Sequence, residues 1–144
     1  WVLKRELLWI PFFGWGLALM KPIAIDRGAG RKAVMQVIEQ GKERLEDGIW
    51  IVVFPEGTRV MPGQRRRYGI GGAALAVETG YPIVPVAHNA GCFWPKRGFL
   101  KRPGTIQVVI GPTVHTRDKT AEEVIQRAEE WIETTMAEIE AGRD

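Results

Sequence analysis

Two short clusters in this 144-residue chain combine residue types that bind anions. The first is Asp26-Arg27, which closes the apolar run Pro22-Ile23-Ala24-Ile25. The second is Pro55-Glu56-Gly57-Thr58-Arg59, which follows the oily run at 49–54. A guanidinium donates a planar pair of N–H groups to a phosphate or carboxylate. Two guanidiniums on one rim, Arg27 and Arg59, make a pocket for such a group. Gly57 lets backbone N–H groups come close to an anion, and Thr58 brings one more hydroxyl donor. Glu56 has the wrong charge for that anion, so it either orients Arg59 or accepts from a hydroxyl of the ligand. An anionic, hydroxylated ligand satisfies this set. The same residues also fit a strand and turn with a surface Glu–Arg pair, since Glu-Gly-Thr-Arg has neither Walker nor Rossmann spacing.

The elements that must position these groups are legible. Residues 22–25 form a short strand, and 31–47 carry Val34, Val37, Ile38 and Leu45 at helical spacing, ended by Gly48. Residues 49–54 are β-rich and apolar throughout, as expected of a central strand covered on both faces. The basic, glycine-rich stretch 61–72 is a loop, and 73–80 is a helix closing on Gly80. Residues 81–89 are a strand whose prolines point to an irregular or edge position. A loop over 90–104 leads to a strand at 105–111. Thr120 and Glu123 have the spacing of a capping box, and the helix that follows puts Val124, Ala128, Trp131, Ile132, Met136 and Ile139 on one face. The order of elements predicts an α/β fold, a single domain over 1–144 with a mixed central sheet covered by helices. Ligands of open α/β sheets bind beyond the carboxyl ends of strands, where both clusters fall if their strands are parallel.

Charge is unevenly spread. The net charge is +3, yet 121–144 hold eight carboxylates against two bases, so that acidic amphipathic tail carries −6 and the body +9. A basic body implies an anionic partner such as phosphates or a membrane surface. Cys92 is the one cysteine, which excludes a disulfide framework and a cysteine-based metal site within the chain. His88 and His115 are the only histidines, too few for a multi-histidine metal centre.

The chain opens on Trp1 rather than Met, as a piece of a longer protein or a processed product would. Residues 7–20, LLWIPFFGWGLALM, hold no charge but are too short for a spanning helix, which needs about 20 residues. Two placements stand open for them: burial in the core, or a bilayer interface. Trp1, Trp9 and Trp15 with Lys4, Arg5 and Lys21 suit an interface.

Phe54-Pro55-Glu56-Gly57-Thr58-Arg59 resembles the F-P-E-G-T-R block of the glycerolipid acyltransferases, specifically the 1-acyl-sn-glycerol-3-phosphate acyltransferases. Three companion blocks agree in order and spacing. They are Lys4-Arg5-Glu6-Leu7 with Ile10-Pro11 and Gly14, Ile23-Ala24-Ile25-Asp26-Arg27, and Ile83-Val84-Pro85-Val86. The likeness covers roughly the whole chain. It implies the family's fold and transfer of an acyl group from acyl-CoA or acyl carrier protein to the free hydroxyl of 1-acylglycerol-3-phosphate, giving phosphatidic acid. It implies that Arg27, Glu56, Gly57 and Arg59 recognise phosphate and glycerol, that Lys4 adds positive charge, and that no metal or redox cofactor takes part. It also implies work at the cytoplasmic face of a membrane, the bacterial inner membrane, with 1–20 contacting lipid or lining an acyl groove. Arg65, Arg66, Arg67, Lys96, Arg97, Lys101 and Arg102 would then face anionic lipid or the phosphates of coenzyme A.

One departure matters. The family's first block is N-H-x-x-x-x-D, whose histidine is the general base and whose aspartate orients it. No aspartate follows His88 at that spacing, and His115 has Asp118 three residues on, so both histidines read as non-catalytic. The catalytic His and Asp are expected upstream of Trp1, none in this chain, and the chain alone is expected to be inactive. The alternative is a non-catalytic module for lipid phosphate or membrane surface that has lost the dyad. Nucleic-acid binding rests only on the basic body, without a motif, and is set aside.

Overall fold

A computed structural model of the chain describes residues 1–26, 28–95 and 99–142. Its elements run β1 (Val2–Lys4), a 3-10 helix (Arg5–Trp9), α1 (Phe13–Leu19), β2 (Ile23–Ile25), α2 (Arg31–Glu46), α3 (Gly71–Thr79), β3 (Val86–His88), α4 (Ala90–Phe93), β4 (Val108–Ile110) and α5 (Ala121–Ala141). The α/β class is observed. Parallel and antiparallel pairing both occur, but as two separate ladders: β1 runs parallel to β2, and β3 antiparallel to β4.

Helix α2 follows its periodicity. Val37 is buried, Ile38 and Leu45 are half-buried, and together they roof β2. The core gathers Ile23, Val37 and Leu75, with Val2, Ile25 and Ile51 packed against it. Each such side chain contributes about 1.5–3 kcal/mol on burial. Gly41 lets α2 meet α3 closely, because a Cβ there would lie 2.4 Å from Leu75 Cδ2. Helix α5 packs on α3 and β3, burying Val124, Ala128, Thr135 and Ile139. Its capping box forms as its sequence predicts: Glu123 N–H donates to Thr120 Oγ1 at 3.2 Å, and Thr120 N–H donates to Glu123 Oε2 at 2.7 Å.

Residues 49–54 differ from expectation. They form no ladder among the described residues. One backbone bond, from Val2 N–H to Val52 C=O at 3.2 Å, ties them to β1. Their side chains alternate. Ile51 and Val53 turn inward, Ile51 onto the core cluster and Val53 against Gly72, while Trp50, Val52 and Phe54 stand exposed. Among the described residues only one face of this segment is covered; an unbroken apolar run cannot itself report which face has a partner. The 7–20 segment is also interrupted. Pro11 separates the 3-10 helix from α1, and Phe12 at the break takes a φ of 63°.

Candidate anion-binding site

Parallel register sets the first part of the rim. Lys4 pairs with Ile25, so the carboxyl ends of β1 and β2 lie side by side. Lys4 is exposed and sits 4.0 Å from Glu6. Among the described residues no strand lies beside the far edge of β2, and α2 completes it with side chains. Gln40 Oε1 accepts from Ala24 N–H and Gln40 Nε2 donates to Ala24 C=O, both at 3.0 Å, while Gln36 Oε1 accepts from Asp26 N–H at 3.0 Å. Asp26 Oδ1 then accepts from Gly28 N–H at 2.9 Å and turns the chain toward α2. Arg27, the first guanidinium assigned by sequence, lies outside the described residues.

The second part is the turn at 55–59. Gly57 N–H donates to Phe54 C=O at 3.0 Å, closing a four-residue turn, and Gly57 takes a φ of 67°, a left-handed conformation that an L side chain resists. Open space surrounds the position where its Cβ would be, so backbone geometry alone demands glycine. Glu56 and Thr58 are half-buried and Arg59 is exposed. No ion pair joins Glu56 to Arg59 among the described residues. Arg59 is thus presented to solvent at the end of an element braced from inside by Ile51 and Val53.

Two residues that sequence reasoning passed over support the turn. Tyr68 is buried within an otherwise exposed basic loop, and its O–H donates to Glu133 Oε1 on α5 at 3.1 Å. Arg65 Nε meets the other oxygen of that carboxylate at 2.9 Å. Burial, with Glu56, Glu133 and Glu129 nearby, pushes the Tyr68 phenol well above its ordinary range, so it remains a donor. A lone aromatic after three arginines was the available signal for Tyr68. Glu133 had none, because it lies 65 residues away.

Other candidates fall elsewhere. His88 Nδ1 accepts from Ala90 N–H at 3.3 Å, a local bond at the start of α4. His115 lines an open depression of about 300 Å³ with Lys119, Arg127 and Trp131. A second, of about 230 Å³, is bounded by Met61, Pro62, Cys92 and Arg102. Neither includes Lys4 or the 55–59 turn. Lys101 Nζ lies 4.6 Å from the centre of the Trp94 ring, and Lys96 and Arg97 lie outside the described residues.

Residues 1–89 match the family model described as Acyltransferase. The chain is 56% identical over 141 residues to a 1-acyl-sn-glycerol-3-phosphate acyltransferase of Pseudomonas aeruginosa, a match covering 96% of this chain and 55% of that protein. It is 33% identical over 124 residues to human 1-acyl-sn-glycerol-3-phosphate acyltransferase alpha, covering 85% and 44%. The crystal structure of the 1-acyl-sn-glycerophosphate (LPA) acyltransferase PlsC from Thermotoga maritima matches with a TM-score of 0.76 at 27% identity, over 97% of this chain and 56% of that one. The chain therefore spans about half the length of these relatives. The family match runs from β1 to the end of β3 and takes in both strand ends and the 55–59 turn: the chain belongs to the acyltransferase family.

Proposed function

We propose that this chain carries the acceptor-binding part of a 1-acyl-sn-glycerol-3-phosphate acyltransferase. The reaction moves an acyl group from acyl-CoA or acyl carrier protein to the free hydroxyl of 1-acylglycerol-3-phosphate, giving phosphatidic acid. The observation that carries this reading is the 55–59 turn, with Gly57 at positive φ and Arg59 presented to solvent, in a chain so similar to acyltransferases of that name. Arg59 and Arg27 hold the acceptor phosphate, Gly57 sets the left-handed turn that places Thr58 and Arg59 beside it, and Lys4 contributes charge from the neighbouring strand end. Glu56 accepts from a glycerol hydroxyl. The hydroxyl oxygen attacks the thioester carbonyl, the C–S bond breaks, and the hydroxyl proton passes through a general base to the leaving thiolate. That base is the histidine of a His-x4-Asp segment upstream of Trp1. The residues of this chain act by fixing the hydroxyl relative to the thioester, which lowers the barrier through orientation.

Residues 1–20 are the membrane-contact segment in this reading. Trp9, Phe12, Trp15 and Leu19 are exposed, the Phe12 and Trp15 rings meet edge-to-face at 5.1 Å, and Lys4, Arg5 and Lys21 flank them. No helix among the described residues is long and apolar enough to cross a membrane. The seven-residue α1 suits the headgroup boundary of a cytoplasmic membrane face.

The test is kinetic. In a protein joining this chain to a His-x4-Asp segment, Arg59→Ala raises KM for 1-acylglycerol-3-phosphate about tenfold or more, the worth of one charged hydrogen-bonding group. Unchanged KM and kcat remove Arg59 from the site. Robust turnover by the 144-residue chain alone overturns the placement of the base.

A further inference from the structure

We propose that Tyr68 and Glu133 are positioning residues of the anion site: anchored to α5 by the Glu133 carboxylate, Tyr68 fixes the loop that holds the 55–59 turn. This rests on reading that turn as the acceptor site.

The connection is short. Tyr68 O–H donates to Glu133 Oε1 at 3.1 Å, and the next residue, Gly69, donates its N–H to Pro55 C=O at 2.7 Å. Pro55 directly precedes Glu56. A shift of the Tyr68 backbone therefore reaches the peptide that aims Glu56 and Gly57. The loop has little other support: residues 61–67 and 69 are exposed, and Tyr68 is its one buried anchor, 6% exposed. Both oxygens of the Glu133 carboxylate are engaged, one by Tyr68 and one by Arg65. A neutral phenol suits this place. Glu56 lies on the side of the turn and Glu129 and Glu133 on α5, and a phenolate among three carboxylates would be repelled. A binding turn at the end of a strand needs such backing, because small displacements of its donors forfeit hydrogen bonds to the ligand. Helix α5 supplies a rigid mount for it, capped at its start and buried along one face.

The experiment uses the 144-residue chain with glycerol 3-phosphate as the probe, read by calorimetry, and amide hydrogen exchange at Gly69 read by NMR. The unaltered chain is expected to bind and Arg59→Ala to lose binding. Tyr68→Phe keeps the ring in its site and removes one hydrogen bond. It is expected to speed Gly69 exchange and to weaken glycerol 3-phosphate about five- to twentyfold, with helix content unchanged. Glu133→Ala should match it, and Glu133→Gln, which retains an acceptor oxygen, should recover most of the binding. Unchanged Gly69 exchange in Tyr68→Phe overturns the proposal. So does full affinity in Tyr68→Phe where Arg59→Ala has lost binding, an outcome that leaves the acceptor-site reading standing. Failure of the unaltered chain to bind the probe overturns that reading and the positioning role with it.

Discussion

The side-chain amide of Gln40 completes both backbone hydrogen bonds of Ala24, as donor and as acceptor, at 3.0 Å each. Helix α2 thereby takes the place of a strand on the open edge of β2. The approach to Asp26-Arg27 is fixed by a helix rather than by a sheet neighbour. Gln40→Leu, similar in size, leaves an N–H and a C=O without partners in a half-buried position. A loss of about 1–3 kcal/mol is expected. At roughly 3–5 °C per kcal/mol for a chain of this length, thermal denaturation will register it clearly. A melting temperature within a degree of the parent would show that water replaces the amide at no cost.

Gly57→Ala isolates backbone geometry. Its φ of 67° costs a non-glycine residue about 1–2 kcal/mol, and beyond its two chain neighbours nothing lies within 4 Å of the new methyl carbon. The expected outcome is weaker binding of glycerol 3-phosphate by up to about tenfold, with a cooperative unfolding transition retained. Equal affinity would mean that the turn relaxes to another conformation that still presents Arg59.

The cap of α5 makes stability pH-dependent at the acid end. The hydrogen bond from the Thr120 backbone N–H, followed by the one from its hydroxyl, holds Glu123 below its ordinary value of 4.5. A carboxylate whose pKa is lower in the folded than in the unfolded chain stabilises the fold above the unfolded value. That contribution is lost as pH falls from about 4.5 through the lowered folded value. Thr120→Ala removes the hydroxyl bond but keeps the backbone N–H, so it should flatten this part of the profile in part. Urea midpoints of parent and variant between pH 3 and 7 decide it: the gap between them should narrow on acidification, and a constant gap would assign the cap to Thr120 alone.

For the exposed aromatic segment, flotation with vesicles containing anionic phosphatidylglycerol is the direct assay. Trp9→Ala, Phe12→Ala and Trp15→Ala should each lower partitioning by roughly tenfold, the worth of one large apolar side chain inserted at the interface. Raising ionic strength should weaken binding further, because attraction between anionic headgroups and basic side chains such as Lys4 and Arg5 is screened. Full binding by the triple variant would return residues 9–15 to a role in protein contact.

Local chemistry made much of this protein legible from its residues alone. The periodicity of Val34, Val37, Ile38 and Leu45 marked α2, and Thr120 with Glu123 marked the start of α5, since helical spacing and caps act within a few residues. Glu56, Gly57 and Arg59 carry the proposed anion-site reading in one turn, so that proposal too came from local chemistry. Only the tertiary structure decided what lies beyond that range. It put Gln40 on the edge of β2, Glu133 beneath Tyr68, and Trp50, Val52 and Phe54 on an uncovered face. Apolar and amide side chains look alike in sequence whichever element receives them. Their partners lie 16 residues away for Gln40 and 65 for Tyr68, so folding chose the contact and the local pattern did not.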